Sequence, residues 1–372
     1  MNNKHIIVLG IRGVPAQHGG FETFAEYLCR YLVARDWSVT VYCQEEGTGS
    51  VYQSEWEGVK RIHIPIKNTG PLGTIIFDLR SVIHSLRHKG VFLTLGYNTA
   101  IFNLLHRLMG KSNVINMDGI EWKRQKWSLV GKAWFWINER LGCWFGNHLV
   151  ADNPEIENHL ATRVSRKKIT MIPYGGKEIF EADESVLKNY GLEKDKYVIL
   201  IARAEPENSI LEAVTAFSTK QRGVKLVVLG SYEPEKNQYH KEVMDAASDE
   251  VIFLGAIYES DKISALRYFS HLYVHGHQVG GTNPSLIEAL GAGNAVLAHD
   301  NKFNRWVAKE GAVYFSDVSM ASKAFDELCS NDDLVLSLQS TSRENFKMNF
   351  QWSYILGQYE QLLMSWLPEN KL

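Results

Sequence analysis

Residues 280–293 combine groups that could bind a phosphate ester. Gly280 and Gly281 lead into Thr282 and Asn283, and a short helical pattern follows. Asn283 before a proline is typical of a helix N-terminus. Such an end presents unpaired first-turn amides with a partial positive charge, and glycines let a ligand approach the backbone. The segment therefore predicts a phosphate site, with an ordinary capped helix as the alternative interpretation.

Two further residues of the second half could complete such a site. Glu288 lies one turn into the helix, where its carboxylate could accept hydrogen bonds from ribose hydroxyls. Arg203 follows the apolar run 197–201, and a guanidinium binds phosphate oxygens through its fork of donors. The alternative is a surface arginine paired with Glu205 or Glu207.

The first half offers a comparable loop and two carboxylates. Gly19 and Gly20 precede a helical pattern and could face a diphosphate, although a plain tight turn looks the same, and the G-x-G-x-x-G spacing is absent. Asp118 and Glu121 follow the apolar run Asn113–Met117. Either carboxylate could hold sugar hydroxyls or take a proton from an alcohol, unless it only caps the strand.

The elements that must position these residues alternate between short apolar runs and helical patterns. Ile6–Leu9 predicts a strand, residues 19–33 predict a helix, and the alternation restarts at Tyr197. This predicts two doubly wound α/β domains facing across a cleft, with ligands at the carboxyl ends of the strands. The predicted ranges are 1–175, 176–350 and a C-terminal helix in 351–372 that crosses back to the first domain.

Composition and charge limit the classes of protein to which the chain can belong. The 372 residues carry 40 Lys and Arg against 42 Asp and Glu, which argues against a nucleic-acid-binding protein. The four cysteines have no metal-ligand spacing, and a reducing, cytoplasmic setting fits them. The N-terminus shows no signal-peptide pattern, and no apolar run has the length of a membrane span.

Residues 122–145 and two histidines allow more than one interpretation. The segment holds five of the ten tryptophans, interleaved with lysine and arginine, which suits a helix at a membrane interface or equally an aromatic core. His275 and His277 flank a glycine and lack carboxylate partners at metal spacing, which predicts pocket-lining residues, not metal ligands.

These motifs together resemble the retaining glycosyltransferases of GT-B family 4, and most of all the bacterial rhamnosyltransferases of cell-wall and capsule synthesis. The resemblance covers nearly the whole chain and is carried by GVPAQHGGFETF, NMDGIEWKRQKW, ARAEPEN and HGHQVGGTNPSLIEALGAG. It implies a nucleotide-sugar donor held mainly by the second domain and an acceptor held mainly by the first.

The resemblance also implies site residues. The expected catalytic groups are Asp118, Arg203 and Glu288. The expected donor-binding groups are Gly19, Gly20, Arg203, Asn208, Gly280, Gly281, Thr282, Asn283 and Glu288. No metal and no cofactor beyond the donor is implied, because no Asp-x-Asp follows a strand.

Three positions depart from the family pattern. Gly280 stands where the family has an acid, Asn208 where it has a lysine, and Asp118 where it has a histidine. A 6-deoxy sugar needs no acid for a 6-hydroxyl, so dTDP-rhamnose is the expected donor and a polyprenyl-diphosphate-linked sugar the expected acceptor. The expected location is the cytoplasm or the inner face of the plasma membrane, with membrane contact through residues 122–145.

Rival functions fit parts of the same pattern. A UDP-sugar-dependent hexosyltransferase would keep the fold and the reaction. A non-hydrolysing sugar-nucleotide epimerase shares the two-domain architecture but would need several acid and base groups. A non-catalytic nucleotide-sugar-binding subunit would explain the missing acid and lysine.

Overall fold

The computed structural model describes residues 4–17, 19–67 and 70–368, which form two α/β units. Unit 1 consists of Met1–Tyr174 and Trp352–Leu372, and unit 2 of Gly175–Gln351. The strands are β1 (His5–Leu9), β2 (Ser38–Glu46), β3 (Tyr52–Trp56), β4 (Val59–Ile66), β5 (Val91–Leu95), β6 (Ser112–Asn116), β7 (His148–Ala151), β8 (Ile169–Met171), β9 (Tyr197–Ile201), β10 (Lys225–Leu229), β11 (Val251–Gly255), β12 (Leu272–His275), β13 (Val296–His299) and β14 (Ala312–Phe315).

Helices connect most of these strands. They are α1 (Gly19–Val33), α2 (Pro71–Ser85), α3 (Asn103–Leu108), α4 (Leu129–Phe145), α5 (Pro154–Leu160), α6 (Ser185–Lys188), α7 (Ile210–Phe217), α8 (Gln238–Asp245), α9 (Ser260–Tyr268), α10 (Pro284–Ala292), α11 (Lys302–Ala308), α12 (Val318–Ser330), α13 (Asp332–Asn349) and α14 (Trp352–Ser365). Short 3-10 turns occur at Ala100–Phe102, Glu121–Lys123, Arg166–Lys168, Pro206–Asn208 and Lys309–Gly311. Over the described residues, no helix combines the length and apolar character needed to cross a membrane.

The described strands of unit 1 form one sheet in the order β3-β4-β2-β1-β5-β6-β7-β8. Neighbours are parallel except the β3–β4 hairpin. Alternate residues of β1 face opposite sides of this sheet. Ile6 and Val8 pack into a core with α1 and α14, whereas Ile7 and Leu9 pack with Phe77 of α2.

The described strands of unit 2 form an all-parallel sheet in the order β11-β10-β9-β12-β13-β14. Both of its faces are covered. Val198 and Leu200 of β9 pack with helices α7 and α12, and Tyr197 and Ile199 pack with α9, α10 and α13. A near-continuous apolar run such as Tyr197–Ile201 is what a parallel strand buried on both sides requires.

The predicted fold class is confirmed: both units are Rossmann-like sheets with helices on both faces. The helix predicted at residues 19–33 has those bounds, and helix α14 packs on α1 within unit 1. The structure divides at Tyr174/Gly175 and at Gln351/Trp352. The apolar runs Ile6–Leu9, Asn113–Met117 and 197–201 correspond to strands β1, β6 and β9.

Candidate functional site

The order of strands in unit 2 indicates where a ligand binds. Strand β9 lies between β10 and β12. From β9 the chain therefore extends toward one edge of the sheet through β10 and β11, and toward the other edge through β12, β13 and β14. In such sheets the loops after the two central strands diverge and leave a crevice. Those loops are residues 202–209 after β9 and residues 276–283 after β12. They contain Arg203 and the predicted phosphate segment.

The two loops are held against each other by specific contacts. Gln278 donates its backbone N–H to Glu207 O at 2.9 Å and its side-chain amide to Ser209 Oγ at 2.9 Å. A Cβ on Gly276 would lie 2.1 Å from Asn208 O, so only glycine permits this approach. Asn208 is 4% exposed and donates its side-chain amide to Arg203 O at 2.8 Å. Its observed role is therefore to brace the loop.

Helix α10 begins as predicted, but its first turn differs in one respect. Asn283 is the N-cap, and its side chain accepts from Ser285 N at 2.9 Å. The amides of Leu286 and Ile287 donate to Asn283 O. The prediction of unpaired first-turn amides is therefore wrong, because the cap and the first helical bonds already use them.

The donors available to a phosphate lie in the preceding loop instead. Within the described chain, the N–H groups of Gly280, Gly281 and Asn283 donate to no backbone oxygen. Gly280 has φ 140°, a conformation that side-chain-bearing residues rarely adopt. Thr282 is 4% exposed. The donors that this segment could offer to a phosphate are thus loop amides before α10, with the helix dipole behind them.

Glu288 is oriented by an arginine that the sequence analysis does not single out. Arg267, at the end of α9, is buried and places its Nη2 2.6 Å from Glu288 Oε2 and 3.4 Å from Ser285 Oγ. The Glu288 side chain is still 39% exposed, and an ionised carboxylate has further acceptor sites for ribose hydroxyls. A charged residue inside the apolar stretch 263–269 was the available signal.

The end of β9 is tied to the start of α10. Ser285 Oγ donates to Ile201 O at 3.4 Å and also hydrogen-bonds the hydroxyl of Tyr273. Arg203 follows two residues after Ile201 and is exposed. Its guanidinium forms no ion pair with any described residue, so the predicted alternative of a pair with Glu205 or Glu207 is not observed.

The two histidines after β12 stack on each other within this region. The rings of His275 and His277 lie 4.4 Å apart and nearly parallel. Burial lowers the pKa of His275 well below its usual value, so this ring is neutral at neutral pH. His275 therefore adds no charge to the loop region.

Unit 1 has its own crevice where β1 lies between β2 and β5. Gly10 ends β1 with φ 85°, and a Cβ there would lie 2.3 Å from Leu95 O of β5. Helix α1 starts at Gly19, which also has positive φ, and Gly20 follows inside the first turn. Glu22 turns back and accepts from Arg12 N at 3.2 Å.

Two adjoining cavities open at this edge of unit 1. The larger, about 680 Å³, is lined mainly by apolar and aromatic side chains from α2, α4 and the loops after β1 and β5. The smaller, about 410 Å³, is mainly polar and includes Arg61 and His63. They share Arg12, Glu22 and Gln44 as a wall. Together they suit a molecule with one polar and one apolar part.

The larger cavity contains an acid that the sequence analysis does not identify. Asp78 of α2 is buried and accepts a hydrogen bond from Thr99 Oγ1 at 2.7 Å. Desolvation raises the pKa of Asp78 to about 7. Perturbed acids in cavities are frequent at functional sites.

The two predicted carboxylates of unit 1 have different surroundings. Asp118 adopts a left-handed conformation, φ 53°, and burial, with Glu121 nearby, raises the pKa of Asp118 to about 6. Glu121 lines the larger cavity but is bound by Arg124 Nε at 2.5 Å and Trp127 Nε1 at 3.2 Å. Glu121 therefore helps to build the cavity wall, whereas Asp118 is not among the residues that line either cavity.

The tryptophan-rich segment divides into two groups. Trp122, Trp127 and Trp134 are partly buried, and their indole N–H groups donate to Glu139, Glu121 and Asn98 O. Trp136 and Trp144 on α4 are 44% and 56% exposed. Core packing thus accounts for the first group only.

Comparison with known proteins gives each half of the chain a match. Residues 3–177 match a family model described as a domain of unknown function, DUF1972. Residues 183–347 match the model of glycosyl transferases group 1. No curated protein matches the chain.

Solved structures agree on the fold along almost the whole chain. Sucrose-phosphate synthase from Thermosynechococcus elongatus has a TM-score of 0.81 at 17% identity, with 97% of this chain and 98% of that chain covered. HepE from Anabaena, in complex with UDP and glucose, has a TM-score of 0.75 at 13% identity, covering 97% and 99%. A UDP-forming trehalose-phosphate synthase from Burkholderia xenovorans has a TM-score of 0.72 at 11% identity, covering 97% and 100%. The chain therefore has the fold of the GT-B glycosyltransferases and carries a glycosyltransferase group 1 domain at residues 183–347.

Proposed function

We propose that the protein is a retaining glycosyltransferase that transfers L-rhamnose from dTDP-rhamnose to a polyprenyl-diphosphate-linked sugar. One observation carries this proposal. An exposed arginine, the amides of Gly280, Gly281 and Asn283 and a partly exposed carboxylate lie in the loops and the helix that follow β9 and β12, at the switch point of unit 2. These are the groups that a nucleoside diphosphate sugar needs.

The groups that bind the sugar donor act in both the ground state and the transition state. Glu288 holds the ribose, while Arg203 and the amides of Gly280 and Gly281 bind the diphosphate. As the bond from the anomeric carbon to the diphosphate breaks, negative charge grows on the leaving oxygen, and these donors stabilise it. The acceptor oxygen bonds to the same face of that carbon, which retains its configuration. Its proton passes to the leaving phosphate oxygen or to Asp118.

The acceptor is assigned to the cavities of unit 1. The polar cavity fits sugar or diphosphate groups, and the apolar cavity of about 680 Å³ fits part of a lipid chain. A free sugar would leave the apolar walls facing water, which is unfavourable. An amphiphilic acceptor uses both.

The choice of donor sugar depends on Gly280. The position carries no acid to bind a 6-hydroxyl, and its φ of 140° disfavours any side chain there. Rhamnose has no 6-hydroxyl. A UDP-hexose is the second candidate, because two of the similar structures are described with UDP or as UDP-forming.

Calorimetric titration of the purified protein tests the proposal. We expect tighter binding of dTDP-rhamnose than of UDP-glucose, UDP-N-acetylglucosamine or GDP-mannose. Arg203→Gln should weaken binding of dTDP far more than binding of thymidine, because only the former has phosphates to contact. Preference for a UDP-sugar would replace the donor and keep the reaction. Configuration change of the donor without acceptor would favour an epimerase, and binding of no nucleotide sugar would refute the site.

A further inference from the structure

The outer surface of helices α2, α3 and α4 is unusually apolar. Among the described residues, 12 of the 21 exposed large hydrophobic side chains lie within residues 72–144. Four exposed side chains of α4 are Leu129, Trp136, Ile137 and Trp144. The first and second are seven residues apart, the second and third are adjacent, and the third and fourth are seven residues apart. Residues so spaced share one side of a helix. Single exposed apolar residues are ordinary, but such a concentration marks an interaction surface.

The three helices present this surface in one layer. Helices α2, α3 and α4 follow β4, β5 and β6 and lead to β5, β6 and β7. Each of these connections runs in the same direction across the sheet. Because such connections are right-handed, the three helices lie on one side of the sheet. Helix α3 packs against both α2 and α4. Ile83 on α2 and Leu108 on α3 are 54% and 72% exposed and extend the apolar surface beyond α4. We call this surface the α2–α4 face.

Within residues 70–146, which contain the α2–α4 face, the exposed charge is mostly basic. Residues 70–146 contain ten lysines and arginines and four acidic residues, although the whole chain has a formal net charge of −2. Of the four acids, Asp78, Glu121 and Glu139 are buried and Asp118 is partly buried. The exposed charge is therefore cationic. A second copy of the same face would repel it, whereas an anionic surface would attract it.

The mixture of side chains matches a bilayer interface more closely than a protein. The guanidinium of Arg140 lies 3.3 Å from the ring centroid of Trp136, with its charged end beside exposed apolar residues. Tryptophan and arginine side chains of this kind place an apolar body in the acyl region and a polar end among headgroups. Basic residues add attraction to anionic lipids.

The large cavity of unit 1 lies at the N-terminal ends of α2 and α4, at one end of the α2–α4 face. Val130 lines that cavity and is 81% exposed, and Pro71 and Thr74 of α2 line it as well. A lipid chain leaving the bilayer at this face would reach the cavity without crossing water. This link to an acceptor rests on the proposed function, but membrane attachment does not.

We propose that the α2–α4 face docks the protein on the surface of an anionic phospholipid bilayer. The apolar stripes on α2, α3 and α4 enter the interface, and the surrounding lysines and arginines contact anionic headgroups. Residues 122–128, part of the segment highlighted by the sequence, stay largely outside the docking contact, because Trp122 and Trp127 are used internally.

Vesicle flotation of the full chain tests this proposal. The probes are vesicles of phosphatidylcholine with phosphatidylglycerol, and of phosphatidylcholine alone. We expect binding to the anionic vesicles that weakens with salt. The double variant Leu108→Asp with Ile137→Asp should lower the partition coefficient about 10-fold or more. The matched control is Leu336→Asp with Met348→Asp, which places the same two charges on exposed apolar sites of unit 2 and should retain binding.

Several results would overturn the proposal. They are no binding to anionic vesicles, equal binding to neutral ones, or equal loss in both double variants. A dimer that dissociates in the first double variant without vesicles would show that a second copy occupies the face. Calorimetry with dTDP-rhamnose is carried out on the same samples without lipid. Lost donor binding with intact flotation would refute the proposed function and leave the docking face in place.

Discussion

At the residue scale, the proposed donor site depends on Glu288, a carboxylate that is paired with a buried arginine. Glu288 is positioned by Arg267, whose side chain is 7% exposed. A buried guanidinium without its partner is costly, so each residue constrains the other. The pair therefore belongs to the binding site as one unit, even though only Glu288 is placed to contact a ribose.

Replacing Glu288 by Gln should weaken binding of dTDP about 10-fold. The amide keeps the shape but loses the charge that strengthens a hydrogen bond to the 3′-hydroxyl of the deoxyribose, a difference of roughly 1.5 kcal/mol. Calorimetry with dTDP, which lacks the transferred rhamnose, isolates the contacts to the nucleotide. Glu310→Gln, on the exposed surface of unit 2, is the control and should bind like the unmodified protein. Equal affinity of Glu288→Gln and the control would remove Glu288 from the site.

Asp78 should make unit 1 less stable as pH rises. Desolvation raises the pKa of Asp78 in the folded protein to about 7, above the ordinary value of 3.8. Between these values the folded state holds a proton that the unfolded state has lost, so the free energy of unfolding falls with increasing pH. The loss starts above about pH 4 and is complete above about pH 7, with a size of up to about 4 kcal/mol.

Asp78→Asn should remove this pH dependence. The amide oxygen can still accept from Thr99 Oγ1, which now lies 2.7 Å from the carboxylate. In thermal unfolding, the variant should match the unmodified protein near pH 4 and unfold at a higher temperature near pH 8. A variant that is less stable than the unmodified protein at both pH values would show that Asp78 is ionised and partnered instead.

At the element scale, the contact between the loops after β9 and β12 shapes the proposed donor site. Gly276→Ala would place a methyl carbon 2.1 Å from Asn208 O, which is backbone and has little freedom to move. We expect the loops to separate, which lowers the free energy of unfolding by about 1 to 3 kcal/mol. The free energy of dTDP binding should weaken by more than this. Gly223→Ala is the control. Gly223 has positive φ but open space around it, so the substitution should lower stability and leave dTDP binding unchanged.

The sequence predicts the central elements well and the site only in part. Tyr197–Ile201 and Val91–Leu95 are recognisable because a strand buried on both sides is continuously apolar. The β3–β4 hairpin is missed because Tyr52–Trp56 is mostly polar and lies at a sheet edge. Arg267 is missed because its partner lies 21 residues away and their contact depends on the packing of α9 on α10. The tryptophans of α4 divide by helix face, which periodicity cannot assign to core or surface.

At the scale of the whole molecule, the chain leaves unit 1 at Tyr174 and returns to it at Trp352. Helix α14 completes the core beside α1: Tyr359 is buried, its hydroxyl accepts a hydrogen bond from Asn116 Nδ2 at 2.8 Å, and its ring centroid lies 4.6 Å from that of Phe24. Over the described residues, these cores of unit 2 draw their side chains from unit 2 alone. The C-terminal helix should therefore govern the stability of one unit.

Tyr359→Ala should lower the thermal transition of unit 1 and leave that of unit 2 in place. Removing a buried aromatic side chain costs about 3 to 5 kcal/mol and leaves the Asn116 amide without this partner. Tyr354→Ala, at a site that is 54% exposed on the same helix, is the control and should leave both transitions unchanged. Scanning calorimetry with dTDP assigns the transitions, because a ligand of unit 2 raises only the transition that Tyr359→Ala spares. A single transition that shifts as a whole in the variant would mean that the two units unfold together.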